Sequence, residues 1–290
     1  LVDEDDLPDG SPPVPGNLTH TGSFTITAPD GVDDLLIGGQ SVVTDGVVTL
    51  PPAFATTYGM LTITGVNLTT GVVSYSYTLS DNTRTHCLAN NGENDVSDTI
   101  VVTLTDLDGD SDSSDLIIKV IDDVPLAADD TGYGVVEHGT SSVSGNVLDN
   151  DDSGADAPKS FVAWGSGDAA VIAALTTYGT LTQNPGGTWS YVLDNTRPAT
   201  QALAPTFNQN YVLNYTMADA DGDRDDATLT INLQGSDDGV SITGIGLVGG
   251  DEIVDEDDLP DGSSPVPGNL TQTGSFTITA PDGVDDLLIG

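Results

Sequence analysis

The sequence is poor in cysteine and in basic residues. Cys87 is the only cysteine among 290 residues, and five lysines and arginines stand against 46 acidic residues, which gives a formal net charge of −41. One cysteine cannot form an internal disulfide, so stability must come from packing or from bound metal. Nucleic acid and anionic lipid repel a chain of this charge. We therefore expect no nucleic-acid partner, and cations are the natural ligands.

Long apolar runs and helix-favouring residues are also scarce. No stretch of 18 or more apolar residues occurs, so we expect no membrane insertion by this segment. Of the acids, 41 are aspartate and five are glutamate. Aspartate, glycine, asparagine and serine favour turns, so we expect helices nowhere in the chain. The hydrophobic fraction of 37% suffices for two domain cores.

The feature that the sequence has in abundance is internal repetition. Residues 1–38 return as residues 253–290 with 35 identities, so the chain holds one repeat of 252 residues and the start of the next. Near-identical tandem units supply length and valency rather than unique chemistry, which favours a structural or adhesive role. No Gly-x-Ser-x-Gly motif occurs, and we expect no enzyme. The expected partners are neighbouring copies of the same repeat in tandem, without an obligate oligomer.

Alternating apolar and polar residues predict half-buried strands along the whole chain. The predicted strands lie at 24–27, 47–50, 60–64, 73–79, 100–104 and 116–120, and at 143–148, 162–164, 179–182, 189–193, 211–217 and 227–233. Landmarks recur in the same order in both halves, such as Thr56–Gly59 and Thr176–Gly179. We predict an all-β fold of tandem Ig-like or cadherin-like β-sandwiches end to end. The predicted domains are 1–123 and 124–236, and 237–290 begins the next repeat.

The start of the sequence carries an expectation about strand pairing. Val240–Val248 reads as a strand that precedes the duplicated segment, yet nothing precedes Leu1 in this sequence. We therefore expect the first domain to lack its opening strand and to show an exposed edge. The tail of a neighbouring molecule could fill such an edge, which would then be an artefact of where this sequence is cut.

The strongest chemical signal is the motif Asp-x-Asp-Gly-Asp-x-Asp, which occurs twice. Alternate carboxylates around a glycine of positive φ deliver several hard oxygens to one cation, and Ca²⁺ takes six to eight oxygens at about 2.3–2.6 Å. Strands flank both loops, so the helix-flanked EF-hand does not fit. The predicted ligands in these motifs are Asp106, Asp108, Asp110, Asp112, Asp219, Asp221, Asp223 and Asp225.

The order of the strands predicts which acidic segments join these loops. The loop before the last strand should lie at the end where the chain enters, so Asp219–Asp225 should meet the linker 122–130 and the loop 149–152. Asp106–Asp112 should likewise lie near Asp30–Asp34 and near Asp3–Asp6. We expect several Ca²⁺ ions. The further predicted ligands are Asp122, Asp123, Asp129, Asp130, Asp149, Asp151, Asp237 and Asp238.

Several of these stretches together resemble a known family. The segments that look like a VCBS-type repeat are Ala127–Tyr133, Gly145–Asp152, Tyr178–Thr182, Trp189–Asp194 and Ala218–Asp223. Val254–Ser263 and its twin at Val2 resemble the partner repeats of giant RTX adhesins. The resemblance implies bacterial Ig-like tandem repeats on the cell surface, exported by type I secretion. It also implies that Ca²⁺ stiffens the sandwiches into an extender that projects a distal binding domain.

The alternative function is a calcium-dependent adhesin module that binds a carbohydrate or a protein. Trp164, Trp189 and Tyr191 could stack on a sugar. Trp189 and Tyr191 lie at alternate positions of one predicted strand, however, and a core face is the simpler explanation. Calcium-dependent sugar binding by this segment would favour the alternative.

Overall fold

The fold was obtained as a computed structural model, which describes residues 1–11, 14–80, 92, 94–246 and 253–290. Strands dominate these residues, and the predicted all-β class is confirmed. Cys87 lies outside the described residues.

The first sandwich is built from ten strands of the described residues. They are β1 (Val2–Asp3), β2 (Thr19–Thr25), β3 (Val32–Ile37), β4 (Gln40–Thr44), β5 (Val47–Val48), β6 (Phe54–Ala55), β7 (Gly59–Asn67), β8 (Val72–Leu79), β9 (Asp95–Asp106) and β10 (Ser111–Ile121). One sheet has the order β1-β10-β9-β3-β4-β5 and the other has the order β2-β8-β7-β6. Leu35, Leu61, Val73 and Val120 are buried in one apolar cluster, because alternate residues of each strand face the opposite sheet.

The second sandwich follows the same plan with its own apolar core. Its elements are β11 (Asp130–Val136), β12 (Ser142–Asn146), β13 (Ser160–Trp164), α1 (Ala169–Tyr178), β14 (Gly179–Gln183), β15 (Thr188–Leu193), α2 (Pro198–Gln201), β16 (Asn208–Ala218) and β17 (Arg224–Gln234). The sheets have the orders β11-β17-β16-β13 and β12-β15-β14. Leu213, Leu229 and Tyr191 are buried between them. The domain boundaries at 123/124 and 236/237 stay predictions.

The start of the next repeat forms a small sheet of two strands. β18 (Ser241–Thr243) pairs antiparallel with β19 (Thr277–Thr279), and Ile242 lies opposite Ile278. The strand predicted over 240–248 is therefore observed over three residues. Residues 247 and 248 lie outside the described part of the chain.

The expectation that the chain contains no helix is wrong. α1 covers ten residues, Ala169–Tyr178. Its sequence Ala-Ala-Val-Ile-Ala-Ala-Leu is locally rich in strong helix formers, and local propensity acts regardless of the composition of the whole chain. Among the described residues, no helix is long and apolar enough to cross a membrane.

Both sandwiches require a glycine at the end of the repeated Thr-Thr-Tyr-Gly segment. A Cβ on Gly59 would lie 2.5 Å from a ring carbon of Tyr77, and one on Gly179 would lie 2.9 Å from the hydroxyl of Tyr191. Tyr77 and Tyr191 are both buried, and they occupy matching positions in the related segments Tyr75–Leu79 and Trp189–Leu193 of the two halves. Glycine therefore lets the backbone approach the core tyrosine in each domain.

The two sandwiches differ along the outer edge of their last strand. β11 pairs in parallel with β17 from Asp130 opposite Leu229 to Val136 opposite Gln234. β1 pairs in parallel with β10 at Val120 and Ile121 only. Among the described residues, the rest of that edge, 111–119, has no paired strand.

Candidate metal centre

The two Asp-x-Asp-Gly-Asp loops have the same backbone form. Gly109 has a φ of 94° and Gly222 a φ of 109°, the left-handed region that favours glycine. The first aspartate closes each loop. Asp106 Oδ1 accepts the N–H of Asp110 at 2.9 Å, and Asp219 Oδ1 accepts the N–H of Gly222 at 2.9 Å. The predicted turn glycine is therefore present in both loops.

Burial distinguishes the two loops. Asp219 and Asp223 are buried, whereas Asp108, Asp110 and Asp112 are exposed. The second loop is covered because residues near the end of the first sandwich pack against it, and the N–H of Gly92 donates to Asp223 Oδ1 at 3.1 Å. The same motif thus lies in solvent in one place and in the protein interior in the other.

The pKa values record the crowding of negative charge in these loops. Burial, followed by a hydrogen bond with Asp221, raises the pKa of Asp219 to about 7. In the exposed loop, a hydrogen bond from Asp108 lowers the pKa of Asp106, and the same hydrogen bond raises the pKa of Asp108. Each loop therefore holds adjacent carboxylates that resist full ionisation when no cation is bound.

Two triads of acidic residues share Asp122 where the sandwiches meet. Glu4, Asp122 and Asp156 form one triad, and Asp122, Asp221 and Asp223 form the other; within each triad, the ligand atoms lie within 4.8 Å of one another. We call these five residues the junction cluster. Oxygens on opposite sides of a Ca²⁺ ion are about 5 Å apart, since each Ca–O distance is about 2.3–2.6 Å. The spacing in both triads therefore fits Ca²⁺.

The junction cluster is assembled from three parts of the chain. Glu4 follows β1, Asp122 follows β10, and the other three residues lie on loops of the second sandwich, before β13 and between β16 and β17. Glu4, Asp122 and Asp156 are all fully buried. Any cation held here would contact both sandwiches and the linker between them.

Asp123, a predicted ligand, serves as a hydrogen-bond acceptor between the sandwiches. Its carboxylate accepts the N–H of Ser11 at 3.0 Å, the hydroxyl of Ser11 at 3.1 Å and the N–H of Ala155 at 2.7 Å. Asp123 therefore joins the first sandwich to the second through direct hydrogen bonds, and it is not a member of either triad.

The linker continues along the entry end of the second sandwich. Asp225 Oδ2 accepts the N–H of Ala127 at 2.8 Å, and Asp129 Oδ1 accepts the N–H of Thr228 at 2.9 Å. Leu126 forms a β-bridge with Asp152. The structure therefore brings together the loop 219–225, the linker 122–130 and the loop 149–152.

Two further predicted ligands are crowded together at this end. Asp151 Oδ1 accepts the N–H of Ala128 at 2.8 Å and the hydroxyl of Tyr215 at 2.9 Å. Burial, followed by the charge of Asp151, raises the pKa of Asp130 to about 6. Within the described structure, Oδ2 of Asp130 and Oδ2 of Asp151 are buried without a hydrogen bond. Asp149 lies beside them but is exposed.

A third triad lies at the opposite end of the first sandwich. Ligand atoms of Asp30, Asp106 and Asp108 lie within 4.8 Å of one another, whereas Asp110 and Asp112 belong to no triad. The acidic run Asp3–Asp6 does not join them, and that expectation is wrong. β1 runs parallel to β10 and pairs with its final residues, so the run that follows lies at the other end of the sandwich.

A fourth triad occurs where the second sandwich meets the next repeat. Glu137, His138 and Asp238 have ligand atoms within 4.8 Å, and His138 Nδ1 lies 2.9 Å from Asp238 Oδ1. Burial raises the pKa of Glu137. The N–H of Asp238 donates to Asp282 at 3.1 Å, and Asp237 is exposed outside the triad.

The predicted ligand set did not include Glu4, Asp156, Glu137 or His138. The similarity between the two halves of the chain contains a signal for two of these residues. Glu4 follows a strand that pairs in parallel with Val120 and Ile121, and Glu137 follows one that pairs in parallel at the equivalent place on β17. The sequence has only five glutamates, so two at equivalent positions could have been recognised.

The aromatic residues considered for sugar stacking belong to the core. Trp189 and Tyr191 are buried, with exposed fractions of 2% and 0%. Trp164 packs its ring against Phe161 and donates its indole N–H to the carbonyl of Asn184 at 3.1 Å. These three side chains therefore do not form an open stacking platform.

Two facing sheets with related strand orders in each half define an all-β protein of Ig-like fold. Residues 122–232 match the sequence profile of the Bacterial Ig domain family. This match supports a bacterial Ig-like repeat for the second sandwich. No curated protein matches the sequence.

Several solved structures of cell-surface proteins show a distant likeness. Protocadherin Gamma B2 extracellular cadherin domains 1-5 is 16% identical, with 76% of this chain and 40% of that chain covered and a TM-score of 0.28. Mouse clustered PcdhgC3 EC1-3 is 14% identical, with 81% and 64% covered and a TM-score of 0.29. The eight N-terminal Ig domains of Down Syndrome Cell Adhesion Molecule are 12% identical, with 79% and 27% covered and a TM-score of 0.24.

The chain spans less than two thirds of the length of each of these three structures. At these TM-scores the whole chains do not superpose, and the likenesses carry no argument about function.

Proposed function

We propose that this chain is a calcium-stabilised extender module of a large bacterial surface adhesin. In this proposal, Ca²⁺ at the junction cluster fixes one sandwich against the next, and the resulting rod projects a distal binding domain. The observation that carries the proposal is the junction cluster itself, in which residues of both sandwiches and of the linker come within 4.8 Å. The Bacterial Ig domain match of residues 122–232 supports a structural, extracellular module.

The physical argument for a cation rests on the charge that docking the sandwiches brings together. Glu4, Asp122 and Asp156 are buried side by side, and the neighbouring Asp219 has a pKa raised to about 7. A divalent ion offsets this repulsion and takes ligands from both domains, so its binding free energy contributes directly to domain docking. Mg²⁺ demands stricter octahedral geometry and keeps its waters, which makes Ca²⁺ the better match for a cluster of carboxylates.

The proposal extends to where the chain works. Outside a cell, calcium is millimolar and can saturate such sites, whereas the cytosol holds little free calcium. A chain exported through type I secretion, as the resemblance to RTX adhesins implies, would then dock its domains only after arrival outside. Neighbouring copies of the repeat would be its structural partners in tandem.

Small-angle X-ray scattering of the whole chain, with excess Ca²⁺ and with chelator, tests the proposal. We expect Ca²⁺ to give a longer and more uniform particle, because the linker angle becomes fixed. Asp122→Asn should lose most of this response, since Asp122 belongs to both triads. Asp115→Asn, an exposed change on β10 that also removes one charge, is the matched control and should respond like the parent.

Isothermal titration calorimetry with Ca²⁺ separates metal binding from the change in shape. Heats of binding in the parent chain and in Asp115→Asn, reduced in Asp122→Asn, would agree with the proposal. A parent chain that shows neither heat nor a changed scattering profile would contradict it. The acidic residues would then serve solubility, and glycan-array binding would become the next measurement.

A further inference from the structure

Histidine occurs three times in the sequence, and one of the three lies where the second sandwich meets the next repeat. Glu137 and His138 follow β11, as Glu4 and Asp5 follow β1 in the first sandwich. The two places have a glutamate in common and differ at the next residue. At the second place, an imidazole nitrogen therefore stands where the first has a carboxylate.

The surroundings of His138 include buried carboxylate oxygens that have no hydrogen-bond donor. The side chain of Asp238 is 3% exposed, and its Oδ2 accepts no hydrogen bond within the described structure. Asp282 Oδ2 accepts the N–H of Asp238 at 3.1 Å, whereas Asp282 Oδ1 is buried and accepts none from the described residues. Burying such an oxygen is costly unless a partner satisfies it. Both oxygens therefore indicate a cation as the ligand at this place.

Four side chains supply donor atoms here. Ligand atoms of Glu137, His138 and Asp238 lie within 4.8 Å of one another, and Asp282 is joined to Asp238 by the hydrogen bond from its N–H. We call these four residues the His138 cluster. Zn²⁺ takes four nitrogen, oxygen or sulfur ligands at about 2.0–2.2 Å in a tetrahedron, which places the donor atoms about 3.5 Å apart. The cluster offers one nitrogen and three carboxylates, a set that matches Zn²⁺ in number and in kind.

Gln201 is placed to orient the imidazole ring. Its Nε2 lies 3.1 Å from His138 Nε2 and donates to Glu137 Oε1 at 3.4 Å. A metal bound at Nδ1 requires the ring proton to be on Nε2, and a half-turn of the Gln201 amide would present its oxygen to that proton. Histidines that bind metal almost always donate their other ring N–H to an acceptor, which fixes the direction of the ring.

We propose that the His138 cluster binds Zn²⁺ in preference to Ca²⁺. Imidazole nitrogen is a good ligand for Zn²⁺, whereas Ca²⁺ takes oxygen ligands. The five residues of the junction cluster are all carboxylates, so the two meeting points of the chain select different cations through their ligands. This proposal goes beyond the calcium proposal and does not rest on it, because the two clusters have no residue in common.

A following repeat would leave the nitrogen ligand in place. Asp282 repeats Asp30 of the first copy. In the first sandwich, ligand atoms of Asp30, Asp106 and Asp108 lie within 4.8 Å of one another. A tandem array would therefore bring further carboxylates towards Asp282, while His138 remains on the side of the second sandwich. The difference from the junction cluster would be kept along the array.

Isothermal titration calorimetry of the whole chain with Zn²⁺, in the presence of about 1 mM Ca²⁺, tests the site. All chains carry Cys87→Ser, because a free thiolate also binds Zn²⁺. His138→Asp restores the Glu-Asp pair of the first sandwich, and aspartate tolerates the φ of 55° at this position. We expect His138→Asp to raise the ratio of the Zn²⁺ to the Ca²⁺ dissociation constant at least about tenfold. Since this change adds a negative charge, weaker Zn²⁺ binding would not result from lost electrostatic attraction.

Two control variants separate this site from the other histidines and from calcium. His20→Gln changes an exposed histidine into the residue of its twin, Gln272, and should leave the ratio unchanged. Asp122→Asn alters the junction cluster and should also leave Zn²⁺ binding unchanged, whether or not that cluster binds Ca²⁺. Long-range ¹H–¹⁵N correlation NMR reports which ring nitrogen binds. Zn²⁺ should shift the Nδ1 signal of one histidine, and this signal should be absent in His138→Asp.

Zn²⁺ binding that persists in about 1 mM Ca²⁺, with an Nδ1 shift that only His138→Asp removes, would support the proposal. A parent chain that binds no Zn²⁺, or that loses it to Ca²⁺, would overturn it. Equal ratios of the two dissociation constants in His138→Asp and His20→Gln, or a shift on another histidine alone, would overturn it as well.

Discussion

The loops Asp106–Asp112 and Asp219–Asp225 have one motif and two environments. Both contain a glycine of positive φ and both are closed by the first aspartate, yet the first lies in solvent and the second is buried at the junction. The motif therefore determines the backbone form of the loop. The neighbouring domain determines how far the carboxylates are buried, and so how strongly their charge opposes folding. The need for a cation, in our proposal, belongs to the junction rather than to the motif.

The largest expected effect comes from adding and removing calcium. A site at a free Ca²⁺ concentration of about 100 times its Kd stabilises the folded state by about 2.7 kcal/mol. We expect Ca²⁺ to raise the unfolding temperature of the parent chain by several degrees, measured by scanning calorimetry. Asp122→Asn should lose most of the rise, and Asp106→Asn should keep most of it. If both variants lost the same share of the rise in unfolding temperature, the two loops would contribute equally to calcium binding, which would contradict the comparison.

The next effect concerns how each sandwich holds its Thr-Thr-Tyr-Gly segment. In the first sandwich, the buried Asp98 accepts the N–H of Thr57 at 3.3 Å, the N–H of Tyr58 at 3.2 Å and the hydroxyl of Tyr77 at 2.7 Å. Burial raises the pKa of Asp98, but hydrogen bonds from Thr56, Tyr77 and the backbone lower it by a larger amount. The net pKa of Asp98 is therefore lowered. The residue of β16 at the equivalent position is Tyr211, whose hydroxyl is uncharged at pH 7.

Asp98→Asn should therefore destabilise the first sandwich by about 1–3 kcal/mol at pH 7, since it weakens hydrogen bonds to a buried carboxylate. A lowered folded-state pKa gives stability that is present above the unfolded value of about 3.9 and is lost as the pH falls through the folded value. The difference in the free energy of unfolding between parent and variant should therefore shrink below about pH 4. Urea unfolding from pH 3 to pH 7 measures it, and Tyr211→Phe, which keeps the ring, should show no such pH dependence.

A smaller effect compares the first aspartates of the two loops directly. Asp219→Asn keeps the Oδ1 acceptor and removes a buried charge, so it should stabilise the calcium-free chain at pH 8 by about 1–2 kcal/mol. Asp106→Asn, in the exposed loop, should change stability by less than about 0.5 kcal/mol. Chemical unfolding in chelator tests both. A destabilising Asp219→Asn would mean that the charge is already compensated in the absence of calcium.

The smallest effect should come from the turn glycine of the exposed loop. A Cβ on Gly109 would meet no atom within 4 Å, so only the positive φ opposes a side chain. Gly109→Ala should cost about 1 kcal/mol, and Gly109→Asn should cost less, because asparagine tolerates the left-handed region better. Thermal unfolding of the two variants compares them. Equal stability of Gly109→Ala and the parent would show that the loop relaxes to another backbone form.

The sequence predicts the strands better than it predicts the ligands. Every predicted strand overlaps an observed one, because alternation is a local signal. β3 (Val32–Ile37) is among the strands that alternation does not predict, since Val-Asp-Asp-Leu-Leu-Ile does not alternate. Overall composition does not predict α1, because a local alanine-rich run determines this helix.

The candidate site depends on long-range pairing, which a local pattern does not contain. Glu4 reaches Asp122 and Asp156 because β1 runs parallel to the end of β10. The local sequence is equally compatible with the opposite placement, and for this reason it predicts the wrong end of the sandwich for Asp3–Asp6. Asp122, Asp221 and Asp223 could be named from the sequence because the Asp-x-Asp-Gly-Asp motif marks the loop and the strand order brings the linker to the same end.

The parallel pairing of first and last strands also has a mechanical consequence. When a chain is stretched from its two ends, β11 and β17 are pulled in opposite directions along their length, so their hydrogen bonds are loaded together in shear. β1 and β10 resist the same load with two residue pairs. Under tension, we therefore expect β1 and β10 of this chain to separate at a lower force than β11 and β17.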